Sequence, residues 1–283
     1  MAQERNQQVF LSEGVEITPA EYERLQQELC AAINADDLTL CEGLAAGSVL
    51  LGCLGVFLER VAGEPSLAGY SRETLINTFF QKMTGNNHLH LMNVLHGSRS
   101  WVLVQRILVP LFTMFHPGPA ASCGRLRFIW LNALIYLKAF ARMGKIFLPL
   151  LNWTGTWADL ERYPLPADNT MIKQQIRQWM TGLVERDVLL KSPDLLQSYH
   201  HTLLCFAVMR WVAAALAAQN RVEITPGIMA RAMEIADRDY LFSPETARSM
   251  EANPLVFDTI QGFLKKREYG ASLVCDPING RYS

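Results

Sequence analysis

Missing from the 283 residues is every short pattern that announces a familiar chemistry. There is no Gly-rich phosphate loop, no G-x-S-x-G turn, no H-E-x-x-H pair and no dinucleotide fingerprint. The acidic stretches ADRDY and FSPETARSME hold no E-x-x-H of the kind that seats two metals in a helical bundle. Six cysteines lie scattered at 30, 41, 53, 123, 205 and 275, none in a C-x-x-C pair. That excludes a thiolate zinc knuckle and a disulfide scaffold, and leaves reduced, packed thiols as the expectation.

Charge is also scarce. Only 19% of residues are charged, against 50% hydrophobic, and the net charge is −1. With a pI near 6.6, no global electrostatic pull toward nucleic acid or an anionic membrane is expected. The apolar runs 44–58, 128–140 and 203–218 are short or are interrupted by Lys138 and Arg210. A spanning helix needs about 20 nearly uncharged residues, so these read as buried core helices. The opening MAQERNQQVFLSEG lacks the apolar core of a signal peptide. The expectation is a cytoplasmic protein.

What the chain does have is helix punctuation. VEITP occurs at 15–19 and again at 222–226, each time offering a threonine cap followed by proline at the first helical position. Glu21 completes a capping box with Thr18. Further caps at Ser71, Thr170, Ser192 and Ser243 mark helices over 18–34, 37–61, 71–84, 87–96, 99–115, 122–143, 169–188, 193–219, 226–239, 244–252 and 255–267. Pro110 should kink or end its helix. KIFLPLL at 145–151 is at most a lone extended piece, and 152–168, with Trp153 and Trp157, is the longest loop. The pattern predicts an all-α, single-domain, multi-helix bundle over 14–267. A flexible N-terminus, 1–13, precedes it, and a mobile or surface-draped tail, 268–283, follows.

Polar groups inside the apolar helices are the candidates for function. His88, His90 and His96 crowd one segment, but His88 and His96 lie two turns apart, about 12 Å, too far to share one metal ion. The segment reads as a helix capped by Asn86 or Asn87, without metal. Tyr199, His200, His201 and Cys205 cluster near the start of the 193–219 helix. His201 and Cys205 are one turn apart, yet no carboxylate joins them, so they make half a metal site at most. Arg210 sits in a stretch apolar on all sides and must meet a carboxylate or several carbonyls. Glu234, Asp237 and Asp239 on the helix after the second VEITP are the expected partners. Arg127, Lys138 and Arg142, with Lys145, fall on roughly one face of the 122–143 helix, a solvated edge or the seat of an acidic partner.

The segments GVEITPAEYERLQQELCAAI, GKIFLPLLNWTGTWADLE, SPDLLQSYHHTLLCFAVMRWVAAALAAQ and VEITPGIMARAMEIADRDYLF, in that order, resemble the helical C-terminal region of the cysteine-cluster proteins. That group includes proposed iron- or zinc-chelating proteins and flagellin lysine N-methylases. The resemblance spans most of 14–245 but not the family's CxxxCC-like cluster, which has no counterpart here. It implies a helical portion without the metal-binding part, serving as a non-catalytic partner or a substrate-binding surface. Eleven methionines suit such an adaptable surface. A module that binds a protein or peptide is therefore expected. The alternative is a helical enzyme or enzyme subunit with an interior site at His200, His201, Cys205 and Arg210, and no cofactor is indicated for either.

Overall fold

The computed structural model describes residues 8–67, 69–84, 88–97, 102–115, 124–166 and 168–275. Among these are twelve α-helices and two antiparallel strand pairs, an all-α multi-helix fold. The expected caps at Asn86 and Asn87 lie outside the described residues.

Helix α9, Leu195–Asn220, is the axis on which the others are laid. Its side chains are apolar around the whole circumference, so no orientation leaves a polar face for water, and it must be surrounded. Of its 26 residues, 21 are buried. Helices α2 (Leu40–Gly63), α5 (Val102–Phe115), α7 (Trp157–Glu161), α10 (Pro226–Ile235) and α12 (Pro254–Leu264) pack against it. Helices α1 (Pro19–Asn34) and α8 (Thr170–Glu185) pack on each other, α1 also on α2 and α8 on α10, while α3 (Arg72–Thr84) and α4 (Leu89–Gly97) pack together beside α1 and α2. By length and composition alone, α2 and α9 could cross a membrane, but 72% and 83% of their apolar windows are buried inside the fold.

Caps set the helix starts. Thr18 accepts from the Glu21 amide at 3.2 Å while Glu21 reaches back to the Thr18 amide at 2.9 Å. Thr39 with Glu42 does the same for α2. The buried helix begins two residues later than expected because Asp194, rather than Ser192, caps it through the Gln197 amide at 2.7 Å. Helix α10 is shorter than expected and passes into a π-helical turn at Ala236–Tyr240.

Pro110 lies within its helix, which runs to Phe115 as expected. Leu108, Val109, Leu111 and Phe112 are fully buried around it, and tertiary packing outweighs one lost hydrogen bond. Four expectations need correction. The piece at 145–151 is not alone: β3, Lys145–Leu148, pairs with β4, Trp153–Thr156, in full register. The presumed loop after it thus holds β4 and the short capped helix α7. Its Trp157 anchors it to α9, edge-on to Trp211 at 5.1 Å. Near the N-terminus, β1 (Val9–Ser12) pairs with β2 (Val15–Ile17) around Gly14 at φ 78°, and Leu11 is fully buried.

The fourth correction concerns the tail. Leu273, Val274 and Cys275 are at most 1% exposed, in and just after a 3-10 turn at Ala271–Leu273 that packs on α2, α5 and α9. Gln105 donates to the Leu273 carbonyl at 2.6 Å. This segment is part of the core. Helix α6 (Arg125–Ala141) packs mainly on α5, and α11 (Pro244–Ala252) beside α12.

Candidate functional site

Helix α2 carries glycines on its inner side, and they fix what can approach it. A Cβ on Gly43 would lie 2.5 Å from the Ala32 carbonyl oxygen, and one on Gly47 2.2 Å from the Tyr199 hydroxyl. Those two positions let α1 and α9 come close. One and two turns on, Gly52 and Gly55 face the side chain of Arg267, whose stem lies 3.6 Å from a Cβ built on Gly52. Arg267 is held there by an ion pair with Glu59.

The stripe Val49, Cys53, Val56 and Phe57 is left only half-covered. Helix α3 supplies Leu75, Phe79 and Met83 opposite it, and Val94 of α4 closes one end. The result is an apolar groove of about 690 Å³. Phe57 and Phe79 meet at 5.0 Å along it. Arg60, Lys82, His90 and Arg267 border the groove, and among the described residues Glu268 is the one acid lining it. Among the described residues, neither Arg60 nor Lys82 has an ion-pair partner. Burial raises the Cys53 thiol above its usual range, so it lines the groove as a neutral group.

Ser48 lies at the edge of this lining and connects it to the sequence-marked cluster on α9. Its hydroxyl is 2.8 Å from His200 Nε2, while His200 Nδ1 is 2.6 Å from the Leu264 carbonyl oxygen. A carbonyl can only accept, so Nδ1 carries the proton and Nε2 accepts from Ser48. Hydroxyl, imidazole and orienting acceptor then stand in the order of an activated nucleophile. The surroundings oppose that use. Burial lowers the His200 pKa to about 4, which makes it a weak base. Ser48 is 1% exposed, and it sits inside α2, where the amides are committed to the helix and cannot stabilise an oxyanion. A Cβ on Gly270 would be 2.3 Å from the Ser48 oxygen, so backbone seals the pair.

The other sequence-marked residues do not converge with it. Tyr199 donates to the Leu44 carbonyl at 2.9 Å. His201 Nε2 donates to the Tyr240 carbonyl at 3.2 Å, between Phe112 and Phe242, and burial lowers its pKa to about 4. The Cys205 thiol, pushed up by burial, shares that carbonyl at 3.5 Å. Arg210 meets none of the expected carboxylates. Its Nη1 donates to the Val274 and Cys275 carbonyls at 3.2 and 3.3 Å, with the guanidinium 5.7 Å from the Phe206 ring centre. Asp239 pairs with Arg238 instead, Asp237 with Arg186, and Glu234 with Arg231 and Arg238. The segment expected to be mobile is what satisfies Arg210.

The three histidines of α4 and its approach likewise face apart. His88, at φ 57°, is 3.9 Å from Asp37, His96 is 3.6 Å from Glu42, and His90 borders the groove. Among the described residues no three His, Cys, Asp or Glu are placed to hold a metal ion. On α6, Arg127, Lys138 and Arg142 are exposed, and Arg142 pairs with Glu161.

Sequence reasoning missed the groove itself. Its α2 stripe repeats at three- and four-residue intervals and is indistinguishable from a core face; only Arg60 and Lys82, one at the end of each helix, hint that the stripe is unfilled. No protein-family model, curated protein or solved structure matches this chain. The resemblance to the cysteine-cluster proteins therefore rests on the quoted segments alone.

Proposed function

We propose that the protein is a non-catalytic binding module whose groove between α2, α3 and α4 takes an amphipathic, acid-bearing peptide segment of a partner protein. The observation that carries this reading is the combination of an open apolar trough of about 690 Å³ with the unpaired cations Arg60 and Lys82 on its border. Pockets of this size bury most of a ligand's apolar surface, and a few placed charges fix its orientation. A short helix with apolar residues at i, i+3 or i+4 and i+7 matches a trough of this kind. The enzyme reading has weaker support. His200, His201, Cys205 and Arg210 each engage backbone or a sealed hydroxyl, and none of them lines the groove.

The test is fluorescence anisotropy with a labelled helical peptide of about 15 residues carrying a leucine stripe flanked by glutamates. Saturable binding is expected. Val56→Asp, which sets a charge on the half-covered apolar wall, and Lys82→Glu should each weaken it at least tenfold. Equal binding by wild type and both variants would overturn the proposal.

A further inference from the structure

The outward face of α6 is as apolar as its inward one. Phe128, Ile135 and Ala139 point into the fold. On the opposite side Leu126, Ile129, Trp130, Leu137 and Phe140 are 81, 54, 69, 65 and 78% exposed. They recur at intervals of three, one, seven and three, a single stripe at helical spacing about 21 Å long. Met143, just past the helix end, is also 68% exposed. Together they expose on the order of 700 Å², above the few hundred that a soluble monomer usually leaves in one patch.

The charge carried by α6 and by the sequence on either side of it is of one sign. Between Glu73 and Asp159 the chain has no Asp or Glu and eight Lys or Arg, while the rest holds 18 against 27 acids. The net charge of −1 conceals this division. On the helical wheel Arg127 and Lys138 border one edge of the stripe and Arg125 the other. Among the described residues none of these three, nor Lys145 just beyond, has an acidic partner.

We infer that α6 docks the protein on an anionic lipid surface, lying flat with Trp130, Leu137 and Phe140 among the acyl chains and the flanking cations at the headgroups. Trp, Leu and Phe on one face with Lys and Arg at the margins is the composition of an interfacial helix. The single sign of charge decides between occupants. In a second copy, in either direction, the same cations would face each other with no acid on α6 to offset them. A protein helix would seek a trough, whereas the cavity that α6 borders is only about 80 Å³ and lies on one flank of the helix, beside Leu131, Ile135, Lys138 and Trp157. This docking is independent of what the groove holds.

The experiment is sedimentation of the full chain with large unilamellar vesicles of phosphatidylcholine alone or mixed equally with phosphatidylglycerol. The partition coefficient should be at least tenfold higher for the anionic vesicles and should fall with added salt. Leu137→Ser with Phe140→Ser, both exposed and so compatible with folding, should lower it at least tenfold with an unchanged circular dichroism spectrum. Arg127→Glu with Lys138→Glu should abolish the preference for anionic lipid. Absence of partition, or partition unaffected by the Ser pair, overturns the inference. So does a dimer in analytical ultracentrifugation that the Ser pair dissociates, which would assign the face to a second copy.

Discussion

Gly270 presses its backbone against the imidazole of His200 so closely that a Cβ there would lie 2.0 Å from Nε2. The contact joins the segment after α12 to the second turn of α9, and no side chain larger than hydrogen fits between them. Gly270→Ala must displace either the imidazole, with its bonds to Ser48 and Leu264, or the 3-10 turn that follows. A loss at the upper end of the ~1–3 kcal/mol typical of overpacking is expected, read as a lower urea midpoint. An unchanged midpoint would show that the segment does not sit where described.

Acid should weaken the fold before the carboxylates titrate. His200 and His201 are buried neutral, each with its pKa lowered to about 4 by desolvation. Between that value and the ordinary ~6.5, the unfolded chain binds protons that the folded chain refuses. Stability is therefore full above about pH 6.5 and declines as pH falls toward 4, by roughly 1.4 kcal/mol per unit for each histidine. Urea titrations at pH 7, 6 and 5 measure this, and a flat midpoint would contradict the buried, uncharged assignment.

Arg210 and Asp239 should act independently. Arg210→Met removes the guanidinium donor to the Val274 and Cys275 carbonyls, which costs about 1–3 kcal/mol and should speed hydrogen exchange at 271–275. Combined with Asp239→Asn, the losses should add within ~0.5 kcal/mol, as for sites that share no partner. A larger coupling energy would restore the ion pair that the sequence suggested.

Glycines in two helices should respond with opposite signs. At Gly47 an added Cβ meets the Tyr199 hydroxyl at 2.2 Å, so Gly47→Ala should lower the melting temperature. At Gly262 in α12 nothing lies within 4 Å of the added carbon. There Gly262→Ala should stabilise by about 0.5–1 kcal/mol through helix propensity. Thermal melts of the two variants decide both.

Much of the helical skeleton was legible because caps are local. Thr18 with Glu21, Thr225 with Pro226 and Ser243 with Pro244 commit the backbone within three residues, whatever the rest of the chain does. The burial of α9 was legible for a similar reason, since a helix with no polar face has one solution. Long-range partners left no such trace. Arg210 advertised a need but not that backbone carbonyls 64 and 65 residues away would meet it. VCDPINGRYS looks like surface chain because its turn residues say nothing about what its first residues pack on. The groove was hidden because an unfilled apolar stripe and a filled one are the same letters; exposure of Val56 and Phe57 is decided by how far α3 stands from α2.

The buried segment at 271–275 also sets an order of events during synthesis. It is translated after α2, α5 and α9, the helices it covers. Until it clears the ribosome, the helix that buries the most residues is on hand with its Ser48–His200 contact open and the Arg210 guanidinium unserved. Domains generally complete folding as units once their last contributing residues emerge. A message cut short near codon 268 would therefore yield a species with α9 partly bare, a client for chaperones and proteases, although every one of the twelve helices had already been made.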